Sequence, residues 1–243
     1  MADISYKNVN DNTPVFVGSA QLTDKRGIEG YNYLEILTEV SKKALADCEA
    51  KDNFKKDIDT VAVIRFVADT PQRDSATSNL WGYPNMPRSL AQSLGFEASN
   101  EIYTTTGGNS PQIAVNELAN RIKDNEIDCA LLAGGEALDT FVTRLKDGLE
   151  VNWSDDPGGK PEIIGKSTDG TNDHEKIHGI FNPSSVYPLF ANALRGLNNQ
   201  SVEEHMQDTG ELFESFSKVA SKNKYSWFPV HRSANEISEV KPE

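Results

Sequence analysis

Apolar residues in the first 140 positions follow two spacings, one typical of buried strands and one typical of helices. Runs of β-branched and aromatic residues predict four strands, at 13–22 (TPVFVGSAQL), 58–68 (IDTVAVIRFVA), 100–106 (NEIYTTT) and 127–138 (IDCALLAGGEAL). The run at 58–68 is apolar at nearly every position, which is typical of a parallel strand covered on both faces.

Between these runs, apolar residues recur every three or four positions, which predicts helices. The first predicted helix has Asn32 as its N-cap, Glu35 three residues later, and an inward face formed by Leu34, Leu37, Ser41, Ala44 and Leu45. A shorter helix ends at Gly95. The helix at 110–125 follows the third strand, with Ser110 as its N-cap and Pro111 at its first position.

The alternation of strands and helices predicts an α/β fold, a layered βαβαβ sheet with helices on both faces and right-handed crossovers. After residue 148 the chain is rich in Gly, Pro, Asp and Ser, which indicates an extended excursion in place of another βα unit. Two further helical patterns follow it, at 185–197 and 201–223.

Composition and charge exclude several classes of partner. The 243 residues carry a formal net charge of −13, which repels phosphate backbones and anionic lipid, so we expect no nucleic-acid partner. The apolar runs are far below the roughly 20 residues of a membrane span, and the start has no signal-peptide core, so we expect a soluble, cytoplasmic protein. Cys48 and Cys129 are expected to be reduced thiols. An anionic small ligand could still bind at a local basic patch or a helix N-terminus.

One short motif matches a metal site. The sequence HEKIH, at 174–178, fits the zinc-hydrolase pattern H-E-x-x-H, which requires a stable helix beside the metal. Gly179 and Pro183 interrupt this segment at once, and His205 and His231 lie in separate segments. We therefore predict a short surface helix that matches by chance, and no metal.

Two glycine pairs follow predicted strands, Gly107 with Gly108 and Gly134 with Gly135. They do not form G-x-G-x-x-G, so a dinucleotide site is not indicated, and there is no G-x-S-x-G elbow. The carboxyl ends of strands are nevertheless where open α/β sheets bind ligands, and backbone N–H groups at the start of the 110–125 helix could hold an oxyanion.

Several separate segments, in order, resemble thiolase-like acetyl-CoA acetyltransferases of the sterol-carrier-protein type. They are TPVFVGSAQLTDK, TTTGGNSPQIAVNELANRIK, IDCALLAGGEAL, VYPLFANAL and SFSKVASKNKYSWFPVHRSANEISEVKPE. The resemblance implies an N-terminal α/β domain over 1–142, a loop domain over 143–243 that covers acyl-CoA, and a homodimer through the 100–106 strand. It also implies that the chain stops before the C-terminal domain, which carries a histidine and a second cysteine in the family.

In active thiolases a cysteine opens the helix after this strand and accepts the acyl group; here the matching position is Gly108. The resemblance implies a coenzyme A ester as ligand, with no covalently bound cofactor. It gives acyl-pocket and oxyanion candidates Gly107, Gly108, Asn109 and Ser110, and phosphate-binding candidates Lys160, Lys166 and Arg195. Three functions stay open: an acyltransferase in a full-length form, a non-covalent retro-aldolase-like enzyme with an OB-fold partner, and a non-catalytic CoA-ester-binding or scaffolding protein.

Overall fold

The computed structural model describes residues 10–48, 54–69, 82–166 and 170–239. They belong to two compact units, whose boundary lies between Ser167 and Thr168.

The first unit is built on a parallel sheet of four strands. These are β1 (Thr60–Val63), β2 (Asn100–Thr104), β3 (Ala130–Ala133) and β4 (Glu162–Ile164), in the order β3-β1-β2-β4. Thr60 lies opposite Asn100 on one side and Ala130 on the other. All four residues of β1 are buried, as its continuous apolar run predicted.

Helices cover both faces of this sheet. They are α1 (Tyr33–Asp47), α2 (Met86–Leu94), α3 (Ser110–Lys123) and α4 (Leu138–Lys146). Val61 and Val63 point into a core with residues of α1, α2 and α4, whereas Ala62 points into a second core with Ala114 and Leu118 of α3. Successive strand side chains point to opposite faces, so β1 supplies both cores. The predicted α/β fold with helices on both faces is confirmed.

Two strand predictions were wrong. Residues 13–22 form no strand, and Val15, Phe16 and Val17 are exposed by 54% or more. Conversely, β4 lies in the segment that was predicted to be an extended excursion, and it pairs in parallel with β2 over Ile102–Thr104. Val151 and Trp153 also pack with the first unit, so the structural division lies later than residue 142, the predicted domain boundary.

The second unit is helical in its described part. It contains α5 (Asp173–Ile177), α6 (Pro183–Leu197), α7 (Val202–Ala220) and α8 (Ala234–Ser238). Helices α7 and α8 pack closely at Gly210, where an added Cβ would lie 2.7 Å from the carbonyl oxygen of Ala234. No residue of α6 is buried. Among the described residues, no helix is both long and apolar enough to cross a membrane.

Candidate functional site

A cavity of about 650 Å³ lies at the carboxyl ends of β1, β2 and β3. Three successive segments line it, one after each strand: 64–67, then Thr106, Gly107, Gly108 and Pro111, then 132–136. We call it the glycine cavity. Parallel α/β sheets bind their ligands at this end of the strands, so the cavity lies where the topology favours a site.

Both predicted glycine pairs line this cavity, and Gly108 differs from Gly107 in the space around it. A Cβ added at Gly107 would lie 2.8 Å from the side-chain oxygen of Asn109. A Cβ added at Gly108 would meet no atom of the described residues within 4 Å. Gly108, the position that the sequence resemblance matches to the thiolase cysteine, therefore has room for a side chain.

The other two acyl-pocket candidates are placed outside the cavity lining. Asn109 is the N-cap of α3, one residue earlier than predicted, and its side chain makes no capping bond. Ser110 is buried, and its hydroxyl donates to the carbonyl oxygen of Thr105 at 2.6 Å. That bond turns the hydroxyl back toward the strand, so Ser110 holds the turn between β2 and α3.

The second glycine pair lets β3 approach β1. A Cβ added at Gly134 would lie 3.0 Å from the Cβ of Ile64, closer than ordinary van der Waals contact, whereas one at Gly135 would lie 3.6 Å from Leu37. A side chain at Gly134 would therefore push apart two strand ends that line the glycine cavity.

Arg65, which the sequence analysis did not single out, joins β1 to β2 beneath the cavity. Its Nε donates to the carbonyl oxygen of Thr104 at 2.9 Å, and its Nη1 donates to the carboxylate of Asp69 at 3.1 Å. Its guanidinium lies 3.8 Å above the ring of Tyr103. These contacts fix the guanidinium as a rigid part of the cavity wall.

Asp69 and Tyr103 complete this largely buried network. The Tyr103 hydroxyl donates to the Asp69 carboxylate at 2.7 Å. Burial raises the pKa of Asp69, an effect that the Tyr103 bond and the Arg65 charge oppose. Burial, together with the nearby charge of Asp69, raises the pKa of Tyr103 well above its ordinary value. Tyr103 is therefore held as a neutral donor to Asp69.

Glu136 is a second cavity-lining residue that the sequence analysis did not single out. It follows the glycine pair after β3, lines the cavity, and accepts a hydrogen bond from the backbone N–H of Val67. Among the described lining residues it is the one carboxylate and Arg65 the one cation. A carboxylate directly after a glycine pair at a strand end was the available signal.

The phosphate-binding candidates and the zinc motif lie elsewhere. Lys160 and Lys166 are exposed and flank β4, and Arg195, in the second unit, bonds Asn192 and the carbonyl oxygen of Gln200. His174 lies on the five-residue helix α5 and His178 is its C-cap; both are exposed, with ring centres 4.8 Å apart. The part of the chain that the structure describes contains no cluster of three or more metal-binding side chains.

Comparison with known proteins finds similarity among solved structures. No protein-family model and no curated protein matches the sequence. Among solved structures, the chain is similar to a monomeric SCP2-thiolase-like protein type 1 from Mycobacterium smegmatis, with 29% identity and a TM-score of 0.68. The match covers 95% of this chain and 40% of that protein, so this chain spans less than half of its length.

The homodimer expected through 100–106 is not supported. β4 pairs with the outer side of β2 over Ile102–Thr104, and the similar solved protein is described as monomeric. The parallel sheet, the helices on both faces and the structural match agree with one another. The chain has the fold of the SCP2-thiolase-like proteins.

Proposed function

We propose that this chain binds the acyl end of a coenzyme A thioester in the glycine cavity and handles it without forming an acyl-enzyme. The observation that carries the proposal is Gly108, which lines the cavity with open space around it and which the sequence resemblance matches to the thiolase nucleophile. Acyl transfer through a covalent intermediate needs an activated nucleophile, and glycine has none.

The rest of the lining agrees with non-covalent handling. The residues described around the cavity include no cysteine, and their single hydroxyl is that of Thr106. Cys129 lies outside the lining, and burial raises the pKa of its thiol to about 11, so it carries little thiolate at neutral pH. A thiol of this kind is a weak acyl acceptor.

The start of α3 supplies electrostatic stabilisation. Gly108 and Asn109 lead into this 14-residue helix, whose N-terminus carries a positive partial charge. A thioester oxygen that gains negative charge is stabilised there without a covalent bond to the protein. The acyltransferase, retro-aldolase-like and pure binding alternatives share this binding step.

The test combines calorimetry with the intact mass of the protein after incubation with acetyl-CoA. We expect the wild-type chain to bind acetyl-CoA and to show no adduct. Gly108→Cys should gain the mass of one acetyl group, because the added thiol lies in the cavity at a helix N-terminus that favours the thiolate. Asn109→Cys is the matched control, because Asn109 is adjacent to Gly108 but lies outside the cavity lining. This variant should stay unmodified.

Two results would contradict the proposal. If calorimetry detects no acetyl-CoA binding by the wild-type chain, the cavity is not a thioester site. If the wild-type chain forms a stable acetyl adduct, a covalent route exists, and peptide mapping of the adduct would identify the nucleophile.

A further inference from the structure

A second cavity, of about 270 Å³, lies along the outer edge of β3. Residues 130–134 line one side of it, and Phe16 with residues 18–20 lines the other. We call this space the edge slot. We propose that an extended, uncharged segment of another polypeptide chain docks in the edge slot and adds to β3 as a further strand. This inference does not depend on thioester binding in the glycine cavity.

The outer edge of β3 presents backbone groups that are available for strand pairing. β3 is the end strand of the sheet, and the carbonyl oxygen of Ala133 accepts from the N–H of Ile64, directly after β1, at 2.9 Å. Backbone groups alternate in direction along a strand, so those of Ala130 and Leu132 point away from β1. No hydrogen bond joins these outward groups to another residue in the described part of the chain. An extended backbone is the complement of such an edge.

Ser41, on α1, gives an independent indication that a polar partner binds in the edge slot. It is 2% exposed and lines the slot, and its hydroxyl has no hydrogen-bond partner among the described residues. A buried hydroxyl without a partner costs free energy, so native structures rarely leave one unbonded. A strand in the slot brings backbone and side-chain groups within reach of this hydroxyl. Val40 and Ala44, which line the slot from the same helix, have compact side chains that leave room for a backbone.

The chain segment opposite β3 is held in place by α1. The backbone N–H of Ser19 donates to the carboxylate of Asp47 at 2.9 Å, and a Cβ added at Gly18 would lie 2.5 Å from the carbonyl oxygen of Ala44. Residues 13–22 have a strand-forming composition, yet they pair with none of the described strands. Contacts with α1, and not pairing with β3, therefore fix this side of the edge slot.

The side chains around the edge slot select an uncharged strand. On the side of α3, a smaller cavity of about 140 Å³ shares Phe16, Ala130 and Leu132 with the slot, and its described lining is apolar throughout. Among the described residues, neither lining contains a charged side chain. Moving a charge out of water is costly unless it is paired, so a charged strand is disfavoured. Because side chains alternate along a strand, we expect aliphatic residues toward α3 and hydroxyl residues toward Ser41.

The experiment uses a synthetic peptide, capped at both ends, in which threonine and valine alternate over about six residues between terminal lysines. Calorimetry measures its binding to the full chain, and NMR follows amide hydrogen exchange. We expect the peptide to slow exchange at Ala130 and Leu132 by about tenfold or more. Exchange at Leu131 and Ala133, whose N–H groups point toward β1, should change by less than about twofold. The control peptide has proline in place of valine, so it lacks the N–H donors and should not bind.

Two variants test the edge slot from the protein side. Ser41→Ala removes the hydroxyl without a partner, so it should weaken peptide binding by about three- to tenfold without lowering the stability of the free chain. Ser89→Ala is the matched control, because Ser89 is also a buried helix serine but donates to the carbonyl oxygen of Asn85; it should lower stability and leave peptide binding unchanged. Ala130→Pro removes one outward N–H at the first residue of an edge strand, where proline is tolerated, and should also weaken binding about three- to tenfold.

Three results would overturn docking of a separate chain in the edge slot. The first is a lack of both peptide binding and amide protection. The second is equal binding of the proline peptide, because that contact would not use strand pairing. The third is protection of the Ala130 and Leu132 amides before any peptide is added. Protection that disappears on dilution would assign the slot to a second copy of this chain, and protection independent of concentration would assign it to residues of the same chain.

Discussion

At the residue scale, Arg65 shows how one charged side chain organises the cavity. It is the one cation in the apolar run 58–68, and it reaches from the end of β1 to the backbone of β2 and to Asp69. Desolvation of a guanidinium is costly unless its donors find acceptors, and here a carbonyl oxygen, a carboxylate and an aromatic face are all within contact. The network therefore fixes the strand ends that form the cavity wall.

The Tyr103 hydroxyl is the part of this network that can be tested most cleanly. Tyr103→Phe keeps the ring beneath Arg65 and removes the donor to Asp69. We expect the free energy of unfolding to fall by about 1–3 kcal/mol at neutral pH, because a buried carboxylate loses a hydrogen bond. The pKa of Asp69 already lies above its ordinary 3.8 in the folded chain, and the variant should raise it further because the Tyr103 bond lowers it.

The sign of the pH dependence follows from linkage. A group whose pKa is higher in the folded chain binds its proton more tightly there, so folding gains stability as the pH falls through that pKa. The loss in Tyr103→Phe should therefore be largest where Asp69 is ionised and should shrink on acidification. Urea unfolding at neutral and mildly acidic pH measures this loss of stability.

Tyr31→Phe is the control, because Arg26 also stacks on the Tyr31 ring, and its free energy of unfolding should change by no more than about 0.5 kcal/mol. An equal loss in Tyr103→Phe at both pH values would contradict a hydrogen bond from Tyr103 to ionised Asp69.

Local sequence signals could predict some of the residues that line the cavity and could not predict others. Glycine pairs at strand ends mark tight turns, so the positions of Gly107, Gly108 and Gly134 could be predicted, and these glycines line the cavity. Ser110 is a residue type that commonly caps helices, but its hydroxyl donates to the carbonyl oxygen of Thr105. The roles of Arg65 and Glu136 depend on contacts to β2 and to the turn after β1, which are distant in sequence.

At the element scale, helix starts were predicted well where the capping chemistry is complete. The side chain of Asn32 accepts from the Glu35 backbone at 2.9 Å, and the Glu35 side chain accepts from the Asn32 backbone at 2.9 Å. This reciprocal pair satisfies two of the N–H groups that a helix start leaves unbonded. The predicted start of α1 is confirmed for this reason.

The contrast between two asparagine caps gives a matched prediction. Asn32→Ala should lower the free energy of unfolding by about 1 kcal/mol, because the capping box at α1 is lost. Asn109→Ala should cost clearly less, because Asn109 occupies the same position in α3 without a side-chain capping bond. Urea unfolding of the two variants beside the wild type makes the comparison, and equal losses would show that capping is not the cause.

Strand predictions succeeded where both faces of the strand are buried. They failed where strand formation depends on hydrogen bonding to a neighbouring strand. β1 is apolar at every position but Thr60 and buried throughout, so its sequence is sufficient to predict it. Residues 13–22 have strand-forming composition, but a strand also needs a neighbour to bond its backbone, and this segment pairs with none of the described strands. β4 is only three residues long and pairs with β2, which lies about sixty positions earlier. Its local sequence pattern is therefore too short to predict a strand.

At the scale of the whole molecule, the two units differ in how they use apolar residues. In the first unit they fill two cores, one on each face of the sheet. In the second unit α6 has an apolar stripe with helical spacing, yet none of its residues is buried, and Phe190 and Leu197 are exposed by 62% and 77%. Apolar area that stays in contact with water contributes no burial energy to its own fold.

This exposure makes a prediction that separates surface from core in the second unit. The double variant Phe190→Ser with Leu197→Lys should change the free energy of unfolding by no more than about 0.5 kcal/mol, because neither side chain is buried. It should also lower the fluorescence of the dye ANS, which binds exposed apolar surface. Gly210→Ala is the buried control, because its Cβ would meet the carbonyl oxygen of Ala234, and it should cost roughly 1–3 kcal/mol. A large loss of stability in the double variant, with unchanged dye binding, would mean that α6 is covered in solution. Only a buried apolar stripe can stabilise the fold and remain inaccessible to the dye.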